Sequence, residues 1–255
     1  MLVRRRGDVM QTKETMMSVK PFAITLDVGT SLANRTGSWR TLKPVYVDRL
    51  PPCNAKCPAG EQCQAWLFHA QSGNYENAWK QIIEDNPFPA VMGRVCYHTC
   101  QGACNRNGID EPVGINAVER FLGDYALEKG WQLPVPAADT GKRILIVGAG
   151  PAGLSAAYQL RRLGHAVHVV ESAEAAGGMM RYGIPKYRLP REVLDQEIAR
   201  ITALGVEFEF GREVKDLNAE MKSAGYDAAF LGAGASLAHR AYIPAGDAAH
   251  ILDAV

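Results

Sequence analysis

This chain has no long apolar run. Stretches such as Ile144-Leu145-Ile146-Val147 are as long as they get, and a bilayer span needs about 20 such residues. It also lacks an excess of either charge: 28 Lys and Arg oppose 27 Asp and Glu, for a formal net charge of +1. No overall field then favours a nucleic-acid backbone or an anionic lipid surface, so neither nucleic acid nor membrane is an expected partner. The first 17 residues contain Arg4-Arg5-Arg6, but the apolar stretch of a secretory signal does not follow. A cytoplasmic location is expected. With further methionines at 10, 16 and 17, residues 1–36 read as a leader or extension outside the fold. Cysteine is absent before Cys53 and again after Cys104.

With 47% hydrophobic and 22% charged residues, 25 glycines and 14 prolines, the composition is that of a globular chain of one or two domains. All six cysteines fall within one short stretch, which describes a localised site rather than a disulfide framework. Outside a secretory route, metal binding is the stronger reading.

Two patterns divide the chain. Residues 37–131 have helical periodicity: Trp66, Leu67 and Ala70 in a helix from Glu61 to about Gln71; Tyr75, Ala78, Trp79, Ile82 and Ile83 in a second that stops at Asn86-Pro87-Phe88-Pro89; and Ile115, Val118, Leu122, Tyr125 and Ala126 in a third closing at Gly130. Residues 132–141, with Pro134, Pro136 and Gly141, read as a linker. From 142 to 255 strands and helices alternate. Strands are expected at 143–147, 166–170, 206–210 and 228–231, and helices at 152–163 and about 191–204.

Gly148-Ala149-Gly150-Pro151-Ala152-Gly153 joins the first of these strands to a helix, the setting of a dinucleotide fingerprint. Gly148 permits the tight turn, Gly150 lets backbone approach a pyrophosphate, and Gly153 lets helix and strand pack closely. The helix start at Pro151 and Ala152 supplies partial positive charge. Glu171, ending the next strand, is placed to accept hydrogen bonds from a ribose diol. Gly177-Gly178 resembles the paired glycines of flavoproteins that bind two dinucleotides, and Tyr226 to Gly234 resembles the segment closing the first half of their FAD domain. Together they favour FAD over NAD at this loop.

Cys53-x3-Cys57-Pro58 matches the tail of the bacterial ferredoxin cysteine run. Cys63 follows, then Cys96-x3-Cys100-x3-Cys104. An iron-sulfur cluster is the leading reading; zinc held by cysteines, with His98 available, is the rival. Glu119 is anomalous because it lies among Ile115, Val118 and Leu122 on an apolar helix face, and a salt bridge to Arg94 or Arg120 would account for it. His69 reads as surface or core filler.

As a set these residues resemble the glutamate synthase small subunit family, to which the N-terminal part of dihydropyrimidine dehydrogenase is related. The specific pieces are Pro52-Cys53-Asn54-Ala55-Lys56-Cys57-Pro58, Asn86-Pro87-Phe88-Pro89, Gly93-Arg94-Val95-Cys96, Cys100 to Cys104, and Tyr182-Gly183-Ile184-Pro185 with Tyr187-Arg188-Leu189-Pro190. The resemblance implies a helical domain with [4Fe-4S] clusters, followed by a Rossmann-like FAD-binding domain, incomplete here. It implies an electron-transfer unit of an NAD(P)H-linked oxidoreductase serving a partner subunit that accepts or donates electrons. By the same resemblance Cys57, Cys96, Cys100 and Glu119 would hold one cluster. A second, using Cys53 and Cys104, lacks two partners; Cys63 could supply one, and Asp48, a histidine or another chain the other. The family's NAD(P)H-binding domain would follow Val255. The rival reading is a zinc-stabilised binding or assembly module without catalysis.

Overall fold

A computed structural model describes residues 50–235. The expected extension over 1–36, Asp48 and the segment beyond 235 lie outside the described residues. Six helices come first: α1 (Pro52–Lys56), α2 (Cys63–Gln71), α3 (Tyr75–Ile82), α4 (Pro89–Val95), α5 (Thr99–Gly102) and α6 (Ile115–Glu128). The Asn74 side chain accepts from Asn77 N and starts α3, which buries Ala78, Trp79 and Ile82 at the expected spacing. α4 is the first departure. The Pro87-Phe88-Pro89 run reads as a breaker, but Pro89 occupies the first turn, where a missing N–H costs nothing. The helix therefore begins where the pattern was expected only to end.

α4 and α6 approach closely because each presents a glycine. A methyl group on Gly93 would land on the Arg120 backbone, and one on Gly123 on the backbone of Ala90. The side-chain-free crossing fixes how the Cys96 end of α4 lies against α6.

The second half comprises β1 (Arg143–Val147), α7 (Pro151–Arg162), β2 (Ala166–Val170), α8 (Met179–Tyr182), α9 (Arg191–Ala203), β3 (Glu207–Glu209), α10 (Leu217–Ala224) and β4 (Ala228–Leu231). The strands form one parallel sheet in the order β3-β2-β1-β4, with Arg143 opposite Ala166 and Ile144 opposite Ala228. The apolar centres of β1 and β2 fit strands covered on both faces. The chain runs outward from β1 to β2 and β3, then crosses back through α10 to lay β4 on the other side of β1, so the strand order reverses between β1 and β4, where a crevice opens at their carboxyl ends. α10 was not anticipated; Asp216 caps it through Ala219 N, and Gly225 ends it in the left-handed region at φ 66°.

The helical and sheet parts share one core. Trp79, Ile83, Phe88 and Val91 from the first cluster with Tyr158, Leu189, Leu194 and Ile201 from the second. Residues 132–141 do not hang free between them: Leu133 is buried, and Ala137 N and Thr140 N donate to the carbonyls of Arg162 and Gly164.

Candidate iron-sulfur and dinucleotide sites

The cysteines converge from loop and helix-end positions. Cys57 follows α1, Cys63 opens α2, Cys96 ends α4 and Cys100 lies in α5. The Thr99 hydroxyl donates to Lys56 O at 2.9 Å, pinning α5 beside the chain that leads into Cys57. Cys63 and Cys100 are buried in one apolar cluster with Trp66, Ile82 and Leu122, and Cys53 and Cys57 pack against it. All six thiols are free.

Among the described residues, the one group of three potential metal donors is Cys57, Glu61 and Cys63, whose ligand atoms lie within 4.8 Å of one another. Cys63 is thus placed beside Cys57. Cys104 faces elsewhere, toward backbone N–H groups of Val113 and Arg106, which hold its thiol below the usual range. His98 does not join the donor group; it takes the left-handed conformation at φ 55°, and its backbone N–H donates to Cys96 Sγ at 3.4 Å.

Glu119 is buried, but neither expected arginine meets it. Arg94 forms a bidentate pair with Asp124 at 2.6 and 2.9 Å, and Arg120 also faces Asp124. Instead the Asn86 amide donates one hydrogen bond to Glu119 Oε1 at 2.9 Å and another to Glu61 Oε1 at 2.8 Å. The salt-bridge expectation is overturned because Asp124, five residues further along α6, captures both cations. Asn86 and Glu61 were missed. In sequence Asn86 reads only as a helix stop and Glu61 only as a helix start, although a charge so close to Cys57-Pro58 is a usable signal.

The local electrostatics follow from burial and close packing. Hydrogen bonding with Cys63, helped by the N–H groups of residues 59–61, brings Cys57 down to about 6 against the opposing effect of burial. Cys63 moves the other way, so this pair retains a proton. Burial raises Cys96 and lifts Cys100 to about 11. Burial first, then Cys57, raises Glu61 to about 7, and burial with Glu61 nearby holds Glu119 well above the carboxylate range. Thiols and carboxyls collected out of water, with no cation bound to either carboxyl among the described residues, suit a positively charged metal group. Trp66 Nε1, buried at the same place, makes no well-aligned hydrogen bond but lies close enough to the Glu61 carboxyl to lower its pKa.

At the sheet's crevice the fingerprint glycines separate by role. Gly148 takes φ 100°, and its N–H donates to Val170 O at 2.8 Å. A methyl group on Gly153 would sit inside the Gly148 carbonyl. Gly150, at the start of α7, is different: its nearest obstacle would be Gly178 Cα at 3.9 Å, so the chain itself leaves that position open. Pro151 and Ala152 form the exposed first turn. Gly177, at φ 127°, donates to Ala149 O at 2.8 Å, which lays the Gly177-Gly178 pair against the loop. Glu171 Oε2 accepts from Ala149 N at 2.5 Å and Oε1 from Ala173 N at 2.9 Å, which places its carboxylate beside the loop. Gly234 lies beyond β4 at φ 73°, in open space; Gly232 rather than Gly234 packs on Gly148. An open glycine at the start of a 12-residue helix, with N–H groups uncapped by side chains, is a cradle that a diphosphate fits.

A family profile described as dihydropyrimidine dehydrogenase domain II, 4Fe-4S cluster, matches residues 48–131. Another, described as an NAD(P)-binding Rossmann-like domain, matches residues 146–198. Among curated proteins, the Mycobacterium tuberculosis glutamate synthase [NADPH] small chain is 36% identical over 197 residues, covering 76% of this chain and 40% of that one. The NAD-dependent dihydropyrimidine dehydrogenase subunit PreT of Salmonella typhimurium is 38% identical over 188 residues, covering 72% and 46%. This chain belongs to the glutamate synthase small chain-like family. The NADP(+)-dependent formate dehydrogenase subunit beta of Moorella thermoacetica is 37% identical over 207 residues, covering 72% of this chain and 29% of the relative. The chain thus spans less than half the length of each of these relatives. As in the family, a helical iron-sulfur domain precedes a Rossmann-like domain. No described helix is long and apolar enough to cross a membrane.

Proposed function

We propose that this chain is the iron-sulfur and FAD-binding part of an NAD(P)H-linked oxidoreductase, moving electrons between FAD and a [4Fe-4S] cluster on behalf of a partner subunit. The observation that carries this reading is the single core joining the cysteine-bearing helices to the fingerprint loop, which holds the two cofactor positions in fixed relation. FAD exchanges electrons in pairs or singly and a cluster exchanges them singly, so the combination links hydride chemistry to one-electron carriers.

The chain's own residues supply binding and orientation. Gly148, Gly150 and Gly153, with Pro151 and Ala152, present the start of α7 to the diphosphate, and Gly177-Gly178 flank it. Glu171 can turn from Ala149 N toward a ribose diol, and Gly234 continues the crevice past β4. Cys57, Cys96 and Cys100 are the shared thiolates of the cluster, whose remaining position is open to Glu119 or Cys63. Cys53 and Cys104 are left for a second cluster. Free thiols throughout suit the reducing cytoplasm. An electron-accepting or electron-donating subunit is the natural partner, since PreT, the small chain and the formate dehydrogenase beta subunit are each named as a part of a larger enzyme.

The compact Cys57, Glu61 and Cys63 group also favours a second reading, a zinc-stabilised module, because donors within 4.8 Å of one another suit a single ion. Anaerobic purification with metal, sulfide and absorption analysis decides between the two. Iron with acid-labile sulfide, and flavin bands over a broad brown absorption, are expected; a colourless protein with stoichiometric zinc overturns the proposal.

A further inference from the structure

We propose that the hollow between the end of α6 and α9 is a seat for one small oxyanion, a phosphate or a carboxylate, gripped by Arg200. None of its residues belongs to either cofactor position, so it stands or falls independently of the iron-sulfur and FAD reading.

Arg200 is the anomaly that points there. Its side chain is only 7% exposed, and its wholly buried Nη2 has no hydrogen-bond partner. One face of the guanidinium is covered by the Trp79 ring, 5.3 Å from its centre, which attracts the charge but offers no acceptor. The nearest carboxylate oxygen, Glu197 Oε1, lies 4.0 Å from Nη1, beyond hydrogen-bond reach. That carboxyl already accepts from Ala90 N and Val91 N, and burial lifts it to about 8, so near neutral pH it is mostly protonated and a weak counter-ion. A buried guanidinium in this position needs an anion.

The space for one is beside it. A hollow of about 250 Å³ is lined by Leu127 and Gly130 at the end of α6, by Gln132, and by Gln196, Ala199 and Arg200 of α9. No acidic side chain lines it among the described residues. The carbonyls at the end of α6 are already engaged: Ala126 O accepts from Trp131 N, Leu127 O from Gly130 N, and Gly130 O from the Gln132 amide at 2.8 Å. Gln132 keeps a second amide N–H, and the exposed Gln196 brings two more. A phosphate or carboxylate would supply the missing charge together with paired oxygens that match the flat fork of an arginine. Because Leu127 and Gln132 come from one half of the chain and Arg200 from the other, a seated anion would also tie the halves together.

The test uses the full chain loaded with flavin, dialysed into chloride and titrated at constant ionic strength with inorganic phosphate and, separately, acetate. Calorimetry reads the binding, and circular dichroism melting checks the fold of each variant. The parent should bind at least one of the two anions saturably, one per chain, and the tighter of the two names the chemistry of the natural ligand. Arg200→Gln should abolish that binding. Gln196→Glu, which adds a negative charge at the exposed rim without touching the core, should keep the parent's melting temperature and weaken binding by about tenfold or more. Gly150→Val, which blocks the diphosphate cradle at α7, should bind the anion as the parent does. A parent that binds neither anion saturably overturns the proposal, as does binding that survives Arg200→Gln or disappears with Gly150→Val. If Arg200→Gln does not fold, an unchanged affinity in Gln196→Glu overturns it alone.

Discussion

At Gly150 the backbone leaves room for a Cβ, and at Gly153 it leaves none. A methyl group at Gly153 would occupy the Gly148 carbonyl, whereas at Gly150 nothing lies nearer than Gly178 Cα at 3.9 Å. The two fingerprint glycines therefore serve different masters: Gly153 the fold, Gly150 the ligand. Gly150→Val should retain the parent's melting temperature while losing bound flavin, measured by absorption after desalting. Gly153→Ala should destabilise the chain by about 1–3 kcal/mol or more through overpacking, measured by urea unfolding. Full flavin retention in a folded Gly150→Val protein would remove the cofactor from this loop.

At the scale of elements, α4 connects the two sites. Its side is set by the glycine crossing with α6, its far end carries Cys96, and its first turn is held from the other half of the molecule by Glu197 of α9. This fully buried carboxyl accepts from Ala90 N at 3.2 Å and Val91 N at 3.5 Å. Gly123→Val should force α4 off α6 at a cost of about 1–3 kcal/mol and lower iron uptake in parallel, because Cys96 moves with the helix. Burial lifts Glu197 to about 8, from 4.5 for a free glutamate. A carboxyl raised in the folded state binds its proton more tightly there than when unfolded. Its stabilising contribution is full below pH 4.5 and is lost as pH rises through about 8. Glu197→Gln keeps an acceptor for the two N–H groups but cannot ionise. Its urea midpoint should fall less than the parent's between pH 5 and pH 8; identical slopes would mean that Glu197 is already ionised across this range.

The same elements show how far a sequence can be read. β1, β2 and β4 span the residues that the sequence pattern assigns them, and the buried apolar residues of β1 and β2 are what a covered parallel strand requires. α4 was hidden because proline marks both the end of one helix and the first turn of the next. Glu197 was legible in principle: it sits between the buried Leu194 and Ile201 as Glu119 sits between Ile115 and Leu122, a charge on an apolar face. What such a face cannot disclose is the partner. For Glu119 the partner is an amide 33 residues away rather than either nearby arginine, and Glu197, although Arg200 lies 4.0 Å away on the same helix, accepts its hydrogen bonds from the backbone of α4, more than 100 residues earlier. Contacts at such separations depend on the whole packing arrangement, not on local spacing.

Across the whole molecule, the helical and sheet parts have little means of unfolding separately. Trp79 and Ile83 lose their cover if α7 and α9 leave, and the Tyr158 hydroxyl, which donates to Ile83 O at 2.7 Å, loses a buried partner. Breaking that bond alone, as in Tyr158→Phe, strands a buried carbonyl and should cost about 1–3 kcal/mol. A ligand that binds only the folded chain stabilises everything that unfolds with it. Stripping iron from the loaded chain with a chelator should then lower the melting temperature of both halves together. The loss should appear as one transition in calorimetry, in the near-ultraviolet signal of Trp66 and Trp79, and in release of flavin from the sheet. Flavin release that stays at its original temperature while the helical signal melts earlier would show that the shared core does not couple the two sites.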